Sequence, residues 1–170
     1  KFGGPGSENA ILGTDQLGRD ILTRLIHCAR ISMYVGIVSV LIGITIGTLA
    51  GVTSAYVSGW ADIILQRFID AMMAFPPIIL ALGLMAALVA SVNNVVIALL
   101  VIFIPGATRV IRSQALSIKE LDYTLAARSI GASSTRIIFR HMIPNIMATY
   151  IVLVTISLGF AIVVEAALSF

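Results

Sequence analysis

The 31 residues from Ile31 to Ala61, ISMYVGIVSVLIGITIGTLAGVTSAYVSGWA, contain no Asp, Glu, Lys or Arg. About 20 apolar residues suffice for a helix to cross a hydrocarbon core about 30 Å thick. The stretch therefore predicts a membrane span, placed at 32–57. Small residues recur along it at every fourth position: Ser39, Gly43, Gly47, Gly51, Ala55 and Gly59. That spacing puts them on one slowly drifting stripe of a helix. Small side chains let two backbones approach, and van der Waals contact is the main glue between helices in lipid. Gly43, Gly47 and Gly51 are accordingly read as helix-packing residues. Channels, transporters and plain dimers all use such a stripe, so it specifies no function.

Two further charge-free runs lie outward from this one, Ala71–Thr108 and Met142–Val164. As one straight helix the first would reach about 57 Å, too long for the bilayer even when tilted. Ser91-Val92-Asn93-Asn94 interrupts it, and paired asparagines favour turns. The reading is a tight hairpin with spans at 72–90 and 95–110; the last run gives a span at 143–165. Composition agrees, with 59% of the 170 residues hydrophobic and 11% charged, at a mean hydropathy of +1.05. Soluble domains carry about a quarter charged residues, so this chain lacks a polar coat and lipid is its solvent. A net charge of +3 is too small and scattered for nucleic acid. The lone Cys28 excludes an internal disulfide, and His27 has no partner at ligand spacing, so no metal site is expected. The chain starts at Lys1 and stops on an apolar run; both ends read as cut, and no signal-peptide pattern opens it.

Lys and Arg near span ends set orientation. Arg109–Arg140 holds six of them and the 58–70 loop adds Arg67, against Lys1, Arg19, Arg24 and Arg30 on the other side. The former side is read as cytoplasmic, and residues 1–30 as external. In that external segment, Gly13–Asp20 supplies turn and cap residues. Ile21, Leu22, Leu25 and Ile26 then predict a short helix lying at the interface before the first span. Ala71–Pro77, AMMAFPP, predicts a kink or helix start. Arg67 and Asp70, three apart, can pair on one helix face. Asp70 and Pro76 are candidate gate residues. Glu165, at the outer end of the last span, is read either as a pore residue or as a structural partner for an arginine such as Arg30.

The cytoplasmic segment 113–142 is the most informative. Leu116–Ile130 predicts an amphipathic helix broken by Gly131-Ala132-Ser133-Ser134. Ser133 or Ser134 would cap a second helix, Thr135–Ile143, leading to Pro144. This elbow is too small to hold a core. Its small residues, Ala126, Ala127, Gly131 and Ala132, are flanked by Arg128, Arg136 and Arg140, which suggests docking onto a partner protein.

The run Tyr123–Asn145, YTLAARSIGASSTRIIFRHMIPN, resembles the "EAA" signature of binding-protein-dependent ATP-binding-cassette (ABC) importer permeases. That signature is E-A-A, three residues, G, nine residues, then I-x-L-P. Ala126, Ala127, Gly131 and Pro144 match it, whereas Leu125 stands at the glutamate, His141 at the isoleucine and Ile143 at the leucine. LGTDQLGRDILTRLIHCARIS and Glu165-Ala166-Ala167-Leu168-Ser169-Phe170 narrow the resemblance to the peptide/nickel class, in particular the C-type subunit of dipeptide and oligopeptide importers.

The resemblance implies an all-α, polytopic transmembrane helical bundle of the type I importer permease fold, in a bacterial or archaeal plasma membrane. It implies about six spans, of which this single permease domain, 1–170, would hold four. The implied partners are a second permease subunit, two cytoplasmic ATPase subunits and an external substrate-binding protein. Thr124, Leu125, Ala126, Ala127, Arg128, Gly131, Ala132 and Ser133 become candidate ATPase-coupling residues. No cofactor is expected on this chain, and ATP and Mg belong to the partner subunits. The chain has no G-x-x-x-x-G-K-[ST] loop, no H-E-x-x-H helix and no G-x-S-x-G elbow, so it is not read as an enzyme. A secondary transporter would want mid-depth acids and inverted repeats, and a channel subunit a filter loop or charge ring; neither is visible. Peptides, nickel chelates and glutathione-like molecules all remain open as substrates.

Overall fold

The computed structural model describes residues 11–89 and 91–168. The expected features at Lys1 and at Ser169 and Phe170 lie outside the described residues. Those described form helices α1 (Ile21–Val57), α2 (Gly59–Met73), α3 (Pro77–Ala87), α4 (Val92–Lys119), α5 (Asp122–Ser129), α6 (Ser134–Ile137) and α7 (Ile143–Leu168), with a π-helical turn at Ile138–Met142. The fold is an all-α membrane bundle. Among the described residues three helices are long and apolar enough to cross a bilayer: α1, α4 and the continuous Ser134–Leu168. The pair α2 and α3, bent by 85°, is a fourth candidate.

Several boundaries differ from those read in the sequence, each for a local reason. Asp20 caps α1, accepting from the Leu22 and Thr23 amides at 3.2 and 3.1 Å. No proline or glycine follows until Gly36, so the helix runs unbroken from Ile21. The separate interfacial helix expected at 21–30 is the first part of α1. Ser91, not the asparagine pair, makes the hairpin break: its Oγ accepts from the Asn94 amide at 3.2 Å. Asn93 and Asn94 lie in the first turn of α4, and Asn94 Nδ2 donates to the Val89 carbonyl at 2.5 Å. α4 then continues through Pro105 to Lys119, well beyond the 95–110 span. The amphipathic helix expected at Leu116–Ile130 is in fact two helices, the end of α4 and α5, divided at Glu120-Leu121. The expected 135–143 helix and the last span form one continuous rod. Pro144 has no amide hydrogen for the residue-140 carbonyl, and the preceding turn is widened to a π turn.

The glycine stripe of α1 faces α4. A Cβ built on Gly43 would lie 3.0 Å from Phe103 Cβ. At Gly47 it would meet Ala107 Cβ at 2.6 Å and the Ile104 carbonyl at 2.8 Å, and at Gly51 the Thr108 carbonyl at 2.7 Å. The partner numbers rise with the glycine numbers, so α1 and α4 run parallel. α7 runs antiparallel to α1. Ser32 Oγ donates to Glu165 Oε2 at 2.8 Å, and Thr45 Oγ1 pairs with Tyr150 OH at 2.9 Å. The ends of α1 and α4, the start of the 134–168 rod, and α2 with α5 therefore share one end of the bundle, which carries the Arg109–Arg140 charges. Two apolar clusters fill the bundle. One, around Val40, Ile44, Leu99, Phe103 and Val164, lies away from that end. The other, around Val52, Ile111, Ile118, Ile137 and Met142, lies beneath the elbow. Ile151, Val152, Ile156 and Val163 of α7 stay exposed, as expected of a surface wetted by lipid.

Candidate coupling site

The elbow is built on helix ends. α4 stops at Lys119, and Thr124, 3% exposed, turns its Oγ1 back to donate to the Ile118 carbonyl at 3.0 Å. That carbonyl also accepts from the Leu121 amide at 3.2 Å, so the end of α4 is closed by a backbone and a side-chain donor together. One helical turn on, Ala127 is buried against Ile137, Ile138 and Met142. Arg128 lies over the Tyr56 ring at 5.6 Å, and Lys119 Nζ lies 6.0 Å from the same ring, at cation–π range. Tyr123 and His141 face each other at 6.3 Å between ring centroids. α5 is thus tied to α4 by a hydrogen bond, to α1 by a cation over a ring, and to the 134–168 rod by apolar packing.

Gly131 ends α5. Its φ is +79°, its amide donates to the Arg128 carbonyl at 3.0 Å, and the Ala132 amide donates to the Ala127 carbonyl at 3.1 Å. This is the paired closure that uses a left-handed residue just beyond a helix, where glycine alone escapes Cβ crowding. Ser133 then caps α6, its Oγ accepting from the Arg136 amide at 3.4 Å. The opposite face of α5 is bare. Leu125 and Ala126 are exposed, and Ile130 is 85% exposed. Tyr123, Ala126, Ile130 and Ala132 line an open groove of about 610 Å³, bordered by Arg136, Arg140 and His141. The sequence residues Thr124 and Ala127 therefore face inward, whereas Leu125, Ala126, Arg128, Gly131 and Ser133 stand at or near the surface.

The other site candidates fall elsewhere. Asp70 pairs with Arg109 across helices, rather than with its neighbour Arg67. Pro76 precedes α3 in an extended conformation, and Pro77 is its first residue, the position where proline costs a helix nothing. Glu165 is held by Ser32, not by an arginine such as Arg30. Sequence reasoning missed a polar network beside the elbow. Asp62, 8% exposed, accepts from Arg112 Nε and Nη2 at 2.7 and 2.6 Å and from Ser54 Oγ. Gln66 Nε2 donates to the same Ser54 Oγ at 3.2 Å. Lys119 Nζ caps α1, donating to the Ala55 and Tyr56 carbonyls at 3.1 and 3.0 Å and to Ser58 Oγ at 2.7 Å. The i, i+4, i+8 spacing of Asp62, Gln66 and Asp70 was the available signal. Among the described residues no three His, Cys, Asp or Glu side chains are grouped to hold a metal ion.

Comparison with known proteins places these features in context. Residues 31–170 match the family described as binding-protein-dependent transport system inner membrane component. The glutathione transport system permease protein GsiD of Pectobacterium atrosepticum is 42% identical over 159 residues, covering 94% of this chain and 53% of that protein. A putative peptide transport system permease protein of Brucella suis is 41% identical over 170 residues, covering 100% and 57%. The dipeptide transport system permease protein DppC of Alkalihalophilus pseudofirmus is 40% identical over 167 residues, covering 98% and 55%. The chain spans about half the length of the curated relatives it matches. With a match over most of its length and helices built to cross a bilayer, the chain belongs to the family of binding-protein-dependent transport system inner membrane components.

Proposed function

We propose that this chain is the core of a permease subunit of an ATP-driven importer for small peptides, including glutathione-like ones. In this reading a second permease subunit completes the path, and an external binding protein delivers substrate. ATP is bound and hydrolysed, with Mg, by two cytoplasmic ATPase subunits. The membrane is a bacterial or archaeal plasma membrane, with the elbow on its cytoplasmic side. One observation carries the reading: α5 buries Thr124 and Ala127 among the ends of three long helices while offering Leu125, Ala126 and Ile130 outward. A helix so mounted transmits force. A push on its outer face reaches α4 through Thr124, α1 through Arg128 and Tyr56, and the 134–168 rod through Ala127. Driving the spans between inward- and outward-open states requires the docking free energy of the elbow to differ between them.

The test uses the full-length protein in its native operon context. Ala126→Glu places a charge at the centre of the exposed face, away from the buried contacts. The expected result is loss of peptide uptake and of ATPase subunits from the purified complex, with normal membrane levels of the variant. Normal uptake with the ATPase retained overturns the reading.

A further inference from the structure

We propose that α2 is not part of a membrane span but lies in the plane of the membrane surface, its outer face seated in lipid at the boundary between headgroups and acyl chains. Three observations carry this. The first is direction. α3 runs back along α4, with Leu80 near Val101 and Ile102, and Val89 near Asn94, so α3 follows the bundle axis. α2 is bent from it by 85° and therefore runs across that axis. The ion pairs agree. Asp62 and Asp70 are about 12 Å apart along α2, yet their partners Arg112 and Arg109 are only about 4.5 Å apart along α4.

The second observation is depth. α4 is charge-free until Arg109, and α2 crosses it at Arg109 and Arg112, where charge first becomes affordable. The third is an inverted amphipathic pattern. The polar side chains Asp62 and Gln66 turn inward to Arg112 and Ser54. Ile69 packs inward with them, but the opposite face is apolar: Trp60 at 80% exposure, with Ile64 and Phe68 one and two turns on. An outward apolar face on a helix whose polar face is satisfied by protein calls for an apolar surrounding. Trp and Phe at the boundary depth match the aromatic belt of membrane proteins. Arg67 is exposed at the edge between this face and the polar cleft that it lines with Asp70 and Arg109, and makes no hydrogen bond or ion pair within the described residues; its long stem lets the guanidinium reach lipid phosphate. Such an anchor holds the α1–α3 connection at fixed depth while the elbow beside it moves.

The test is a depth measurement on the full-length protein in its assembled complex. The background carries Cys28→Ser, with any cysteine outside this sequence also replaced. A nitroxide is attached in turn at Trp60→Cys, Ile64→Cys and Phe68→Cys, in phosphatidylcholine/phosphatidylglycerol vesicles. Relative accessibility to oxygen and to a water-soluble nickel chelate reports depth, and the same label along α7, at Ile151→Cys and Ile156→Cys, calibrates it. The proposal expects the three α2 labels at one common depth near the phosphates, while the α7 labels differ by about 7.5 Å. A depth change of about 12 Å from 60 to 68 makes α2 a spanning helix and overturns the proposal. Shielding from both reagents means that another protein covers the face, and full exposure to the nickel chelate means that water does; either result also overturns it. The readout needs neither transport nor hydrolysis, so its failure is separable from failure of the functional reading above.

Discussion

Gly51 has no room for one more carbon. A Cβ there would sit 2.7 Å from the Thr108 carbonyl and 3.0 Å from the Arg112 amide nitrogen, both backbone atoms that cannot swing aside. Gly51→Ala must therefore push α1 and α4 apart, at a cost of about 1–3 kcal/mol. Gly159→Ala, with nothing within 4 Å, should leave thermal unfolding in detergent unchanged or slightly raised, and equal midpoints for the two variants would contradict this packing account. The partly buried Asp62–Arg112 pair gives a second prediction. Removing either partner leaves the other charge less well solvated than in water, so Asp62→Asn or Arg112→Gln should each cost about 1–3 kcal/mol, between the values for exposed and for buried pairs. The double variant should cost clearly less than the sum, and strict additivity in a double-mutant cycle denies the pairing. These two cases mark what sequence can reveal. The glycine stripe was legible because its spacing is local and its meaning follows from helix geometry alone. The Asp62 pairing was not, because its partner is 50 positions away and Asp70 offers the nearer Arg67 a competing match that the fold declines.

At the scale of elements, helix ends were harder to read than helix interiors. The charge-free runs fixed that α1, α4 and the last rod exist, but charge says nothing of where a helix stops. α4 outruns its charge-free part because Lys119 finds acceptors at the end of α1. α1 begins early because Asp20 caps it. The turn ahead of that cap is organised by Asp15, whose Oδ1 accepts from the Leu17 and Arg19 amides, both at 2.9 Å. The Arg19 amide foremost holds the Asp15 carboxyl below its usual range, and the Thr23 hydroxyl does the same for Asp20. A carboxyl with a depressed folded-state pKa stabilises above its unfolded value, near 3.8, and loses that contribution as pH falls through and below it. Amide exchange at Leu22 and Thr23, corrected for intrinsic rate, should therefore quicken as pH is lowered past that point. Asp20→Ala should already exchange fast at neutral pH and show no further change; a variant with wild-type protection at neutral pH removes the cap from the account. The elbow was legible as a turn through Gly131, whose left-handed φ the closure of α5 requires. Its attachment was not, since Thr124, Arg128 and Ala127 reach three separate helices through contacts that only the assembled bundle creates.

At the scale of the whole molecule, the bundle separates two tasks. Away from the basic end, α1, α4 and α7 pack through small, aliphatic and aromatic side chains with few polar bonds. At the basic end, Asp62, Arg112, Lys119, Tyr56 and Arg128 join the helix ends to α2 and to α5. In the proposed mechanism a displacement of α5 would therefore reach the ends of the long helices together rather than one of them. Membrane class was readable from scarcity of charge, and the elbow from its residues. The mounting of the elbow on three helix ends, on which the proposed lever rests, emerged only with the structure. The most direct measurement of that central claim is a contact at the outer face of α5 in the working complex. Ile130→Cys, in a full-length Cys28→Ser background, should be attached to a short thiol-reactive photocrosslinker in energised membranes. The account predicts an adduct with a cytoplasmic ATPase subunit, with a yield that changes when ATP is bound. An adduct with lipid alone, or a yield indifferent to nucleotide, would contradict it.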